Sequence, residues 1–130
     1  MAQRQPEGII KDECRDKHAV PNDLLFWQIE GKGRNGVPDT LAGKVAGRGI
    51  LIEFKRLGQK PTQQQYLRIY ELREAGIEAW WTDSVAGYRR LVGLDPGGYK
   101  VEYPADIVAL IELGETADNI GKKKRGTKRR

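Results

Sequence analysis

A chain of 130 residues, of which 32% are charged and 38% hydrophobic, has the length and balance of one soluble globular domain. Its net charge is +5 and its pI about 9.4. Seven of the last nine residues are basic, so this excess says little about the rest of the surface. Cys14 and His18 are the only residues of their types, which excludes an internal disulfide, a Cys/His zinc site and a Ser-His-Asp triad within this chain.

The sequence also bears on location. No apolar stretch reaches the length of a membrane span, and the polar N-terminus lacks the core of a signal peptide. A single cysteine is typical of a reducing compartment. We therefore expect a cytoplasmic protein of a bacterial or phage-infected cell, with no membrane partner.

The apolar spacing and the turn residues predict a small α/β domain with a mixed sheet flanked by helices. The predicted elements are a helix over residues 6 to about 17, a strand over 24–29, a hairpin with strands over 39 to about 44 and 48–56, a helix capped by Thr62 and stopped at Gly76, a strand over 77–82, a helix from Asp83 or Ser84 through Val92, and a last helix over 104–113. We expect one domain over residues 1–114 and a basic, flexible tail over 115–130, with little fixed structure from Glu115 onward.

The candidate catalytic residues lie on the predicted hairpin. Glu53 and Lys55 are two apart on one strand and so share a face. If the turn is centred on Ala46, Asp39 lies directly opposite Glu53, and two opposed carboxylates repel each other. A hard divalent cation with oxygen ligands would relieve that repulsion, and the lysine beside it could hold a water molecule or stabilise charge on a phosphate. The sequence thus predicts Mg²⁺ or Mn²⁺ on Asp39 and Glu53, with Lys55 positioning the attacking water; a solvated strand face with alternating charges is the alternative.

Several segments together resemble one known family. They are Gly36-Val37-Pro38-Asp39, Ile52-Glu53-Phe54-Lys55, Pro61-Thr62-Gln63-Gln64-Gln65 and Gly76. The chain is similar in these segments, and over about residues 7–92, to the VRR-NUC domain of the PD-(D/E)XK nuclease superfamily. This resemblance implies a restriction-endonuclease-like core with the element order αβββαβ. It also implies that Asp39 and Glu53 bind the metal together with the Phe54 carbonyl, and that Lys55 is the catalytic lysine.

Two further site residues follow from the same resemblance. Gln65 occupies the position of the family's motif glutamine, although a capping box with Thr62 is its other possible role. The family places a glutamate of the first helix near the metal, and Glu7 fits that position best, with Glu13 as the alternative. The chain departs from the family most at this end, because the first helix is short, polar and interrupted by Pro21.

Basic residues supply candidate DNA contacts. Lys32 and Arg34 lie in the loop after the first strand, and this loop has the form GxGxxG. Glycines and Pro38 leave no room for a crossover helix after it, so we expect no nucleotide cofactor. The remaining candidates are Arg56, Lys60, Arg68 and Arg73, and the tail residues Lys122, Lys123, Lys124 and Arg125.

These features predict a metal-dependent, structure-selective DNA endonuclease. Small stand-alone members of the family resemble homodimeric enzymes, often of viral genomes, that resolve four-way (Holliday) junctions. A two-fold dimer would place two sites symmetrically for such cuts. Two alternatives remain open, a flap or nicking endonuclease and a nucleic-acid-binding module that never cleaves.

Overall fold

The computed structural model describes residues 7–29 and 35–128, and the side chains of residues 8–29 and 35–122. Its helices are α1 (Glu7–Glu13), α2 (Gln63–Glu74), α3 (Val85–Val92), α4 (Ala105–Glu112) and α5 (Ala117–Lys128). Its strands are β1 (Phe26–Gln28), β2 (Thr40–Gly43), β3 (Gly49–Phe54) and β4 (Ala79–Thr82). After α1 the chain continues in wide helical turns over Cys14–Ala19 and a tight turn over Val20–Asn22.

The strands form one mixed sheet in the order β1-β2-β3-β4. The first three are antiparallel neighbours, and β4 runs parallel to β3 after the crossover through α2. Thr40 pairs with Ile52 and Gly43 with Gly49, so the hairpin turn is centred on Ala46 as predicted. The predicted mixed α/β class and the helix–three strands–helix–strand order are confirmed, while the assignment to a restriction-endonuclease-like core stays a prediction.

One face of β3 lies in the main core. Ile50, Ile52 and Phe54 alternate along the strand and are at most 3% exposed, so this face of β3 is buried. Phe54 packs against Tyr88 of α3 at a ring-centroid distance of 6.3 Å. Cys14, in the turns that follow α1, belongs to the same core. The two helices α1 and α3 therefore cover the face opposite to the one on which Glu53 and Lys55 project.

Helix α2 begins as predicted. The Thr62 hydroxyl accepts a hydrogen bond from the Gln65 backbone amide (3.1 Å), and the Gln65 side chain accepts one from the Thr62 amide (2.9 Å). This reciprocal capping box satisfies two amides that a helix start leaves without intrahelical partners. At the other end Gly76 adopts φ +88°, a backbone conformation that glycine enters without steric cost.

The prediction of little fixed structure from Glu115 onward is wrong for the segment that forms α5. Ala117 is fully buried and Ile120 is 7% exposed. Gly121 lies so close to the Gln64 amide group that a methyl group added there would clash with it. The first turns of α5 are thus docked on α2 by tertiary contacts. Among the described helices, none is both long and apolar enough to cross a membrane.

Candidate active site

The predicted carboxylate pair lies at the open end of the hairpin, one residue beyond the last pair formed by β2 and β3. Thr40 pairs with Ile52, and extending this register by one residue sets Asp39, which directly precedes β2, opposite Glu53. Asp39 is fixed from its other side as well, since its carbonyl accepts a hydrogen bond from the Ile29 amide at 2.7 Å. Glu53 and Lys55 are each 7% exposed, so these charged side chains are largely withdrawn from solvent on the face away from α1 and α3.

Gln65 connects the strand residues to α2. Its Nε2 donates to Glu53 Oε2 at 3.2 Å, and its Oε1 accepts from Lys55 Nζ at 3.0 Å. The same Oε1 accepts from the Thr62 amide, so one side chain makes the helix-cap bond and also contacts Glu53 and Lys55, while its role as a site residue stays a prediction. The amide holds Glu53 and Lys55 in a fixed relation from the start of a rigid helix.

The backbone at position 36, directly before the Val-Pro-Asp segment, requires a glycine. Its φ is +86°, and a Cβ built on it would come within 3.1 Å of both the Cγ and the carbonyl oxygen of Gln64. The backbone entering β2 therefore rests directly on the first turn of α2. This contact fixes the position of Asp39, three residues later, relative to the helix that carries Gln65.

Lys11 of α1 is a site residue that the sequence did not reveal. Its Nζ lies 2.8 Å from Asp39 Oδ2, and its side chain is only 9% exposed against 28% for Asp39. The second carboxylate oxygen, Oδ1, accepts from the Thr40 hydroxyl at 3.0 Å. In the sequence, the sign that Lys11 faces inward is its position beside the apolar residues Ile10 and Cys14, one residue before it and three after it. Both are buried in the structure.

This ion pair changes the electrostatic argument made from the sequence. The repulsion between opposed carboxylates was expected to require a cation between them. Lys11 already provides a positive charge at Asp39, and the Gln65 amide donates to Glu53. Charge repulsion alone is therefore a weaker reason for a metal than the sequence indicated, and the chemical type of the donor atoms is the stronger one.

The described donors are all oxygens. Asp39 and Glu53 provide carboxylates, and Phe54 between Glu53 and Lys55 provides a backbone carbonyl. Hard cations such as Mg²⁺ prefer such oxygen donors and are typically held by one or two carboxylates plus water and phosphate. Among the described residues no group of three His, Cys, Asp or Glu side chains is arranged to hold a metal.

The two candidate glutamates of the first helix stand at its two ends. Glu7 is the first residue of α1, and its side chain lies outside the described atoms. Glu13, the last residue, is two residues after Lys11 and so about 200° around the helix axis from the lysine that contacts Asp39.

The candidate DNA-contacting basic residues outside α2 divide into three groups. Lys32 and Arg34 lie outside the described residues. Arg56 and Lys60 are exposed on the loop that directly follows Lys55, and Lys122 is exposed on α5. The other tail candidates, Lys123, Lys124 and Arg125, belong to α5, but their side chains lie outside the described atoms.

Arg68 has a structural role instead of the predicted phosphate contact. It is 6% exposed, and its guanidinium donates to the Asn35 carbonyl, to Glu71 and to Asp118 of α5 at distances of 2.8 to 3.0 Å. Burial and these bonds leave it unavailable to a phosphate, so that prediction is wrong for Arg68. Arg73 likewise donates to the Ala79 carbonyl at 2.9 Å, at the start of β4. Arg68, on α2, thus links this helix to the Asn35 backbone beside Gly36 and to α5.

Burial also perturbs two groups in the core on the opposite sheet face. It raises the pKa of the Cys14 thiol to about 12, with the Glu13 carboxylate adding to the rise. Burial likewise raises the pKa of Tyr88 to about 12, with a smaller contribution from Cys14. Both groups are therefore neutral at physiological pH, and neither serves as a nucleophile or base there.

Comparison with known proteins gives one informative relationship. No family model matches the chain, and no solved structure matches it significantly. The chain is 33% identical over 70 residues to "Putative nuclease p44" of Acyrthosiphon pisum secondary endosymbiont phage 1, an alignment that covers 51% of this chain and 69% of the phage protein. Since more than two thirds of that protein is covered at this identity, the chain belongs to the family of this phage protein.

Proposed function

We propose that this protein is a metal-dependent nuclease that hydrolyses phosphodiester bonds in DNA. The relative in its family is named a nuclease, which supports nucleic-acid cleavage in general. The observation that carries the proposal is the Gln65 amide, which holds Glu53 by one atom and Lys55 by the other. A solvated strand face with alternating charges would need neither this bridge nor the burial of both charged residues.

We further assign the chain to the VRR-NUC type of PD-(D/E)XK nucleases. The element order and the spacing of Asp39, Glu53 and Lys55 support this assignment. So does the position of Gln65 at the start of the helix that follows. Glu13 lies about 200° around α1 from Lys11, which favours Glu7 over Glu13 as the glutamate of the first helix.

In this proposal the site holds Mg²⁺ or Mn²⁺. Asp39 and Glu53 would be the carboxylate ligands, joined by the Phe54 carbonyl and by Glu7. The all-oxygen donor set fits such a hard cation and would not fit a soft one. When bound, the ion would stabilise negative charge on the phosphate that is being cleaved.

The lysine supplies the second part of the chemistry. Lys55 Nζ, oriented by Gln65 Oε1, can donate a hydrogen bond to the attacking water and to the charge that develops on phosphorus-bound oxygens. The water oxygen forms a bond to phosphorus as the bond from phosphorus to the 3′ oxygen breaks. A proton ends on that 3′ oxygen, so the products are a 5′-phosphate and a 3′-hydroxyl, as in the family that the chain resembles.

The proposed substrate is branched DNA in the cytoplasm. A homodimer that resolves four-way junctions is the form implied by the resemblance, and a flap or nicking endonuclease is the alternative. The exposed Arg56 and Lys60 beside the site, and the basic helix α5, support binding to a polyanion in either case. A third possibility, a module that binds without cutting, would have no need of the Glu53–Gln65–Lys55 arrangement.

One experiment separates these possibilities. Purified protein with Mg²⁺, Mn²⁺ or EDTA is incubated with end-labelled four-way junction, flap, single-stranded and linear duplex DNA. Asp39→Asn is run in parallel, with Asp16→Asn as a matched control because Asp16 is 60% exposed and pairs with Arg15. We expect metal-dependent cuts that Asp39→Asn abolishes and Asp16→Asn keeps.

The pattern of products identifies the activity. Paired symmetric cuts would favour the junction resolvase, and cuts only at the flap would favour the alternative endonuclease. Binding without cleavage in either metal would favour the non-cleaving module and would refute the proposal.

A further inference from the structure

A tight turn directly follows the proposed catalytic lysine. It spans Arg56 to Gln59 and is closed by a hydrogen bond from the Gln59 amide to the Arg56 carbonyl at 2.9 Å. Gly58, at its third position, has φ +84°, which a type II turn requires there and which glycine adopts without steric cost. Leu57, at the second position, is 61% exposed. The turn therefore presents a leucine to solvent at its tip.

The turn is tied to the end of β4 on both sides of Leu57. Before the leucine, the Lys55 amide donates to the Thr82 carbonyl at 2.9 Å. After it, the Gly58 amide donates to Asp83 Oδ2 at 3.0 Å. Leu57 is thus held on an anchored turn, and holding it against a ligand costs less conformational entropy than ordering a mobile loop would.

DNA that reaches the candidate active site has to pass this turn. Leu57 is two residues after Lys55, so their Cα atoms are at most about 7 Å apart. Successive phosphates of one strand are about 3.4 Å apart along the duplex axis, so this distance spans roughly two nucleotides. Arg56 and Lys60, on either side of Leu57 in the chain, are exposed cations that suit the flanking phosphates. In a two-fold contact between copies centred on Leu57, the same cations would face each other, so the charges favour DNA as the occupant.

We propose that Leu57 is a wedge that inserts between two stacked base pairs beside the phosphate that is cut. This inference rests on the proposed nuclease function and adds a sequence preference to it. An apolar side chain such as leucine, inserted at a base step, partially unstacks the step and kinks the duplex. The cost of unstacking depends on the sequence, since T-A and C-A steps open easily whereas A-tracts are stiff. Leu57 therefore determines specificity, and cleavage falls within about two nucleotides of a T-A or C-A step.

The test measures base unstacking separately from cleavage. Four-way junctions and flaps are prepared with a T-A step, a C-A step or an A-tract next to the branch point. In each, one adenine is replaced by 2-aminopurine, whose fluorescence rises when it is unstacked. Wild type, Leu57→Ala, Leu57→Met and Leu113→Ala are titrated into these substrates in EDTA, and cut positions are then mapped in Mg²⁺. Leu113 is the matched control, because this leucine is 77% exposed at the C-terminal end of α4.

Wild-type protein should raise the 2-aminopurine fluorescence at T-A and C-A steps and cut beside them in preference to the A-tract. Leu57→Ala removes three apolar carbons from the wedge, so it should bind the T-A and C-A substrates about 5- to 50-fold more weakly. It should also lose the fluorescence rise and the preference between steps. Leu57→Met should keep both, and Leu113→Ala should match wild type.

Three results would overturn the inference: no fluorescence rise on binding of wild type, equal cutting at every step, or wild-type affinity of Leu57→Ala. A change in oligomeric mass of Leu57→Ala in light scattering would also overturn it, by identifying the turn as a contact between copies. Wild-type protein that unstacks these steps but cuts no DNA would refute the nuclease and leave the wedge standing. Cleavage without unstacking would refute the wedge alone.

Discussion

Replacing Lys11 by methionine should tighten binding of a divalent metal in the absence of DNA. The Lys11 ammonium lies 2.8 Å from Asp39 Oδ2, close enough to neutralise the carboxylate. A divalent ion that uses this carboxylate must either approach the ammonium or displace it. Methionine keeps most of the apolar stem of lysine and removes the ammonium with its charge, so it tests this competition.

The magnitude follows from the geometry. A metal about 2.1 Å from an Asp39 oxygen would lie roughly 4–5 Å from the Lys11 nitrogen. At this separation a doubly charged ion and an ammonium repel by about 2 kcal/mol in the dielectric of bulk water and by about 7–8 kcal/mol at an effective dielectric of about 20. The lysine side chain can rotate away and reduce this cost, so the lower value is the safer guide. It corresponds to about 30-fold in the dissociation constant, and we expect at least about a tenfold decrease for Lys11→Met.

The assay is calorimetric titration of Mn²⁺ into metal-free protein. Lys17→Met is the matched control, because Lys17 is exposed on the turns that continue α1. Thermal melts of both variants verify that the fold is retained. A Lys11→Met protein that is folded but binds Mn²⁺ with wild-type or lower affinity would refute the reasoning. Asp39→Asn in the same titration distinguishes this result from failure of the site itself, since it should lose Mn²⁺ binding altogether.

Three further predictions concern the capping box, the α5 contact and the core. Thr62→Ala should lower the free energy of unfolding in urea by about 1 kcal/mol and leave cleavage intact, whereas Gln65→Leu should reduce both; equal loss of cleavage in the two variants would contradict the separation of roles. Arg68→Met should lower the free energy of unfolding by about 2 kcal/mol; the loss is this modest because the groups that Arg68 contacts can bind water once the guanidinium is gone. An unchanged denaturation midpoint would show that the α5 contact is not stabilising. The Cys14 thiol ionises near its ordinary pKa of 9.0 when unfolded and only near 12 when folded, so it favours the folded state below pH 9 and loses this contribution as pH rises toward 12. Cys14→Ala should therefore lose less stability than wild type between pH 8 and 10, and identical losses would contradict the assignment.

The hairpin could be predicted because its constraints are local. Alternation along residues 49–54 indicates which side chains share a face, and the glycines around Ala46 favour a turn centred there. These two facts fix the register and hence the opposition of Asp39 and Glu53. The capping box was equally accessible, since Thr62 and Gln65 are three residues apart and their reciprocal bonds are a property of any helix start of this type.

The contacts missed from the sequence join distant segments. Lys11 and Asp39 are 28 residues apart, and nothing in the pattern of a short polar helix shows where it packs against the sheet. The strongly basic composition of the segment that forms α5 predicts a flexible tail. Its order comes from two buried apolar residues and from the bond between Arg68 and Asp118, 50 residues apart. Such tertiary contacts override the local composition on which the prediction was based.

The most direct test of the central claim is the single-turnover rate of DNA cleavage in Mg²⁺ by wild type, Glu53→Gln and Glu78→Gln. Glu78 is the matched control, because it pairs with Lys44 at 2.8 Å near the hairpin turn, at the other end of the sheet from Asp39. Removing a carboxylate that holds the metal should lower the rate at least about a hundredfold, since metal stabilisation of charge contributes several kcal/mol. The account predicts this loss for Glu53→Gln and wild-type cleavage for Glu78→Gln. Cleavage by Glu53→Gln at the wild-type rate, or no metal-dependent cleavage by the wild type, would contradict it.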